Sequence, residues 1–106
     1  MTVKEFYSGV DGNYMEIYSR FLNDDKIRKY LYIFLQDKTF TNLCIEIDSK
    51  NPQRAFIYAH TLKVLSQNLS LTPLYMKSQQ ITRALRNNNI KNGIGFPGTV
   101  FLKRLH

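Results

Sequence analysis

The longest uninterrupted pattern in the chain lies at residues 51–71, NPQRAFIYAHTLKVLSQNLSL. Asn51 followed by Pro52 is a helix-start signal: the asparagine side chain can cap free N–H groups, and a proline at the first helical position lacks an N–H that would have no helical partner anyway. At about 100° per residue, Ala55, Ala59, Leu62, Ser66 and Leu69 fall in one stripe, broadened by Tyr58 and Leu65 into a core-facing surface. His60 points roughly 160° away from Leu62, with Phe56, Lys63, Val64 and Gln67 around it. The pattern therefore predicts a helix with a histidine on the face opposite its core.

Shorter patterns flank it. Thr2 with Glu5, and Asn13 with Glu16, are capping-box spacings ahead of short apolar runs, and Gly9 and Gly12 are expected to separate two short helices. Asn23 and Asp24 are expected to cap a third, with Ile27, Leu31, Phe34 and Leu35 at helical spacing. Thr39 is the expected cap of a fourth, whose apolar stripe is Phe40, Leu43, Cys44 and Ile47. Thr72-Pro73 repeats the Asn51-Pro52 signal ahead of Leu74, Ser78, Ile81 and Leu85. Connections this short make neighbouring helices antiparallel, so the expected fold class is all-α, a small helical bundle. The pattern stops after residue 90. The segment at residues 91–106 holds Gly93, Gly95, Pro97 and Gly98 and then a basic end, and reads as an atypical, irregular tail on a single domain at residues 1–90.

Composition narrows the class. A chain of 106 residues with 43% hydrophobic content can bury one modest core. No apolar run approaches the eighteen or so residues of a membrane span, and MTVKEFYSG lacks a signal-peptide pattern. Cys44, the single cysteine, cannot form an internal disulfide, so a cytoplasmic location is expected and the thiol is read as a buried one. The net charge of +7 is unevenly spread. All eight acidic residues fall between Glu5 and Asp48, and the 58 residues from Ser49 onward carry nine Lys and Arg but no Asp or Glu. The half containing His60 should attract an acidic surface or a polyanion.

His60 and Lys63 together suggest phosphoryl chemistry. An imidazole nitrogen open to solvent is a nucleophile, and an ammonium one turn away can follow the phosphoryl oxygens as a point charge. The sequence AHTLK followed by QNLSL resembles the histidine phosphotransfer (HPt) domain, whose phospho-accepting helix reads AHxLKG and continues toward a small residue, a glycine and an apolar residue. The similarity extends over residues 3–88 and is strongest at residues 55–85. It implies an antiparallel four-helix-bundle-like domain with a small N-terminal helical cap. His60 would be the phosphoacceptor and Lys63 would neutralise phosphate charge. Thr82 stands where the family often has a glutamine that supports the imidazole, and Arg86 matches a basic position. Phe56, Val64, Gln67 and Leu71 would dock the partner.

The resemblance also implies a carrier in a two-component phosphorelay rather than an enzyme. The partner would be a response-regulator receiver domain, a sensor histidine kinase, or both. No cofactor is expected on this chain, since the Mg²⁺ belongs to the receiver. Three departures stand out. Val64 and Ser70 replace family glycines, and residues 91–106 lack the closing amphipathic helix, which would leave a groove open to homodimer formation. Glycine is costly in mid-helix, so its value at those two positions would be close approach of the partner.

Other chemistries find less in the sequence. No Gly-rich phosphate loop is present, two histidines and one cysteine are too dispersed for zinc, and no carboxylate lies near His60 in sequence to orient a triad. Two alternatives remain: a pseudo-HPt that docks receivers without chemistry, and a basic helical nucleic-acid-binding module. For the latter, Arg54, Lys77, Arg83, Arg86, Lys91, Lys103 and Arg104 supply charge, but no helix carries a dense basic stripe, and nucleic acid is the less expected partner.

Overall fold

The computed structural model describes residues 1–86, which form six helices: α1 (Val3–Gly9), α2 (Tyr14–Phe21), α3 (Asp24–Gln36), α4 (Thr39–Asp48), α5 (Pro52–Asn68) and α6 (Thr72–Arg86). The fold is all-α, and α4, α5 and α6 pack side by side as the trunk of a helical bundle. The tail at residues 91–106, the boundary at residue 90 and the question of a closing helix lie outside the described residues.

Helix starts follow the local chemistry. The Thr2 hydroxyl accepts the Glu5 N–H at 3.0 Å while the Glu5 carboxylate accepts the Thr2 N–H at 2.9 Å, a complete capping box. Those bonds favour the charged carboxylate and lower the Glu5 pKa, the backbone N–H of Thr2 first. Asn13, Asn23 and Asn51 each accept N–H groups from the first turn that follows them. At α4 the expectation fails by one position. Thr39 is the first residue inside the helix: Lys38 takes the N-cap position without a side-chain capping bond, and Asp37 Oδ1, one residue earlier, accepts the Thr39 N–H at 2.7 Å.

Helix ends are less ordinary. After α1, α4 and α5 the chain turns through Asp11, Lys50 and Ser70, all in left-handed backbone conformation. Each turn pairs the two N–H groups of a Schellman motif with carbonyls in the last helical turn: Leu71 to Ser66 at 2.9 Å and Ser70 to Gln67 at 3.0 Å after α5, for example. Leu22 ends α2 in the same conformation. Glycine is the usual residue for such turns, yet none of the four is glycine. Gly9 is the last residue of α1 and Gly12 lies between α1 and α2, so the two short helices separate where expected, although neither glycine takes the left-handed position. Gly12 is needed for proximity: a Cβ there would stand 2.7 Å from the Tyr7 ring and 3.1 Å from the Ser70 carbonyl oxygen.

Two buried clusters hold the fold together. Leu43 and Ile47 of α4, Ala55, Ala59 and Leu62 of α5, and Ile81 and Leu85 of α6 form the first. The second joins Val3, Tyr7, Ile17, Ile27 and Leu31 from α1–α3 to Leu69 and Leu71 at the end of α5. Phe34 and Leu74 touch both. The α5 stripe expected from the sequence is the buried one, Ser66 included. The buried hydroxyls of Ser66, Ser78 and Thr82 donate to carbonyls four residues back at 2.7 Å, so small polar residues occupy the interior with their donors satisfied. Leu35 departs from expectation: it is 66% exposed, because Ile27, Leu31 and Phe34 already fill the narrow inward face of α3. Cys44 is half-buried rather than sealed in the core.

Candidate functional site

The outward face of α5 carries His60. It is exposed, as are Thr61 and Gln67, while Phe56 and Lys63 are half-buried. Val64 is exposed, and so is Ile57, three residues before the histidine. Helical geometry puts Ile57 and Val64 within about 20° of one another along a single line, with His60 roughly 40–60° to its side. An imidazole thus stands beside a short apolar ridge.

Phe56 organises the other side. Its ring stacks on the His60 imidazole with centroids 6.2 Å apart and planes inclined by 26°. The guanidinium carbon of Arg86, from the last turn of α6, lies 5.8 Å from the Phe56 ring centroid. Phe56 also packs on the trunk core, so it has little freedom to leave this position. The result is a row across two helices: guanidinium, phenyl, imidazole. A cation over a phenyl face is held by the ring quadrupole, at about 0.5–1 kcal/mol for an exposed pair.

Cations near His60 have different duties. Arg54, six residues before it, has its Nε 3.2 Å from Glu46 Oε2 and ties α5 to α4. Lys63 lies one helical turn beyond His60, and Arg86 approaches across Phe56. Such a site can attract an anion and present a nucleophilic nitrogen to it. Among the described residues no cluster of three or more His, Cys, Asp or Glu could hold a metal ion.

The structure brings together His60, Phe56 and Arg86, with Lys63, Val64 and Gln67 on the same face. Two expected members are elsewhere. Leu71 is buried in the second core cluster with Tyr7 and Ile17, because the left-handed turn at Ser70 swings it inward; it is a core residue and no part of a docking surface. Thr82 is also buried, and its hydroxyl donates to the Ser78 carbonyl inside its own helix. Ser70 is not in mid-helix. It occupies the left-handed position just past α5, where a glycine relieves backbone strain rather than making room for a partner.

Sequence reasoning missed Ile57, whose signal was an apolar residue one turn before His60 at a position the core stripe did not need.

The far end of α5 is built differently. Arg20 of α2 donates to the Asn68 carbonyl and the Ser70 hydroxyl, both at 2.7 Å, and more weakly to the Gln67 carbonyl at 3.3 Å. Ser70 in turn donates to Glu16 Oε1 at 2.6 Å. The Tyr7 hydroxyl donates to the Leu69 carbonyl at 2.6 Å, and burial pushes its pKa up to about 12. A guanidinium and a phenol thus satisfy the terminal carbonyls of α5.

Comparison with known proteins returned no matching family model, no matching curated protein and no matching solved structure. Among the described residues no helix is long and apolar enough to cross a membrane.

Proposed function

We propose that this chain is a histidine phosphotransfer protein of the HPt type, a carrier that exchanges a phosphoryl group between His60 and the aspartate of a receiver domain. The observation that carries the reading is the exposed His60 on the outer face of α5, stacked on Phe56 and bordered by Lys63 and Arg86. A ring nitrogen of His60 attacks the phosphorus of the aspartyl phosphate. The N–P bond forms as the O–P bond to the aspartate breaks, and the receiver regains its free carboxylate. Lys63 and Arg86 oppose the charge on the phosphoryl oxygens, while Phe56, Ile57, Val64 and Gln67 meet the partner. The receiver contributes Mg²⁺ and most of the rate enhancement, so positioning is the chief task of this chain. Such relays work in the cytoplasm, and the acid-free half of the sequence would speed encounter with an acidic receiver pocket.

One observation favours a docking-only variant of the same module. The Thr82 hydroxyl, at the position where the family often has its supporting glutamine, donates to the Ser78 carbonyl within α6 and not to the imidazole.

Incubation with a phosphorylated receiver domain or with phosphoramidate separates the two. Acid-labile phosphate mapped to His60 by mass spectrometry, and lost in His60→Gln, is the expected result. A folded protein that binds receivers but takes no phosphate would leave the docking module. Label persisting in His60→Gln would refute the assignment of the acceptor.

A further inference from the structure

His60 is exposed on α5, and its neighbours one turn toward the start of that helix are Phe56 and Ile57. A side chain on a helix has two favourable χ1 wells, and both lean it back over the residues three and four positions earlier. A ring in either well has two broad orientations about χ2, so an unguided imidazole would divide itself among about four arrangements. The structure shows one of them. The imidazole stacks on Phe56, with centroids 6.2 Å apart and planes inclined by 26°, while Ile57 is left 60% exposed.

Phe56 is fixed where the histidine is not. Its ring is half-buried and packs against the trunk cluster. The guanidinium carbon of Arg86, carried by the last turn of α6, lies 5.8 Å from the same ring centroid. A stack also suits a nucleophile. The lone pair of an unprotonated imidazole nitrogen lies in the ring plane, so a phenyl against the flat face leaves the nitrogens open, whereas a hydrogen bond to that nitrogen would occupy it.

We propose that Phe56 is the positioning residue of the phosphoryl acceptor, selecting the imidazole orientation that presents a nitrogen to the donor. The trunk core and Arg86 anchor that orientation from below and from α6. The role rests on the phosphotransfer reading of His60. Choosing one of about four arrangements raises the rate by up to about fourfold. That gain is made before the donor arrives, so it is the same for a small donor as for a protein.

Two donors therefore separate positioning from docking. A phosphorylated receiver domain covers the outer face of α5, whereas phosphoramidate is too small to touch more than the histidine and its immediate neighbours. With phosphoramidate, the lone pair of a His60 ring nitrogen forms the new N–P bond as ammonia leaves with the electrons of the old one, and the ring keeps its other N–H. Phe56→Leu keeps apolar volume against the core and removes the flat face. It should slow labelling of His60 by about two- to fourfold with either donor, with helical circular dichroism unchanged. Phe56→Tyr should recover most of that loss. In the natural chain, ring protons of Phe56 and His60 should show a nuclear Overhauser contact, a readout that requires no variant to fold. Equal phosphoramidate rates in the natural protein and a folded Phe56→Leu overturn the proposal and leave the phosphotransfer reading standing. Slowing confined to the receiver also overturns it and makes Phe56 a docking contact, and so does a missing contact between the two rings. A natural protein that takes no phosphate on His60 from either donor refutes the phosphotransfer reading itself, and the positioning role with it.

Discussion

The two ends of α5 are secured by opposite means. Its first three turns lie in an apolar trunk where Ala55, Ala59 and Leu62 meet α4 and α6, held chiefly by packing, with the Arg54–Glu46 ion pair at the edge. Its last turn is held by polar groups from elements far earlier in the chain: the Tyr7 phenol, the Arg20 guanidinium and, through Ser70, the Glu16 carboxylate. The difference is instructive because a helix end exposes carbonyls that packing cannot satisfy, whereas a helix middle exposes none. The N-terminal helices complete the cap, taking the Asn68 and Leu69 carbonyls that the Schellman turn at Ser70 leaves over.

Mutations at the two ends should separate these mechanisms. The largest effect is expected from Tyr7→Ala, which empties a fully buried aromatic site and frees the Leu69 carbonyl; about 3–5 kcal/mol should be lost in denaturant unfolding. Leu62→Ala in the trunk should cost about 2–5 kcal/mol through its cavity alone, with no change in pH dependence. The pH profile distinguishes the ends further. The Tyr7 proton is retained to about 12 in the folded chain against an ordinary value of 10, so its contribution is complete below pH 10 and lost as pH rises toward 12. Chemical-denaturation midpoints should fall across that window in the natural protein and fall less in Tyr7→Phe.

Smaller effects sharpen the contrast at the left-handed turns. Lys50→Gly relieves backbone strain at a position whose side chain is exposed, and should stabilise by about 0.5–1 kcal/mol. Ser70→Gly relieves the same strain but removes the hydroxyl between Arg20 and Glu16, and should change stability by less than about 0.5 kcal/mol. A gain at Ser70 equal to that at Lys50 would mean that the polar network contributes nothing. The smallest effect belongs to His60→Gln, expected within about 0.5 kcal/mol of the natural protein, because His60 is exposed and belongs to neither core cluster.

These differences also explain what could be read from the sequence. The trunk stripe of α5 was legible because burial repeats every three or four residues and leaves a periodic mark. The asparagine caps were legible because they act on neighbours two or three positions away. The clamp at the far end was not, since Tyr7 and Leu69 are separated by 62 residues and no local pattern joins them. Leu71 looked like a surface neighbour of Gln67 only while α5 was imagined to continue; the turn at Ser70 sends it inward. Phe56 was legible as a neighbour of His60, but its link to Arg86 depends on how α6 returns beside α5.

The separation of duties around α5 has a consequence for how the molecule can change over generations. Its inward positions are constrained by volume, so substitutions there are felt by the whole fold. Ile57, Thr61, Val64 and Gln67 are exposed and belong to neither buried cluster. Exchanges at such surface positions ordinarily cost within about 0.5 kcal/mol. The outer face can therefore drift through many sequences while the scaffold stands still, and recognition can be rewritten at three or four codons without passing through an unfolded ancestor.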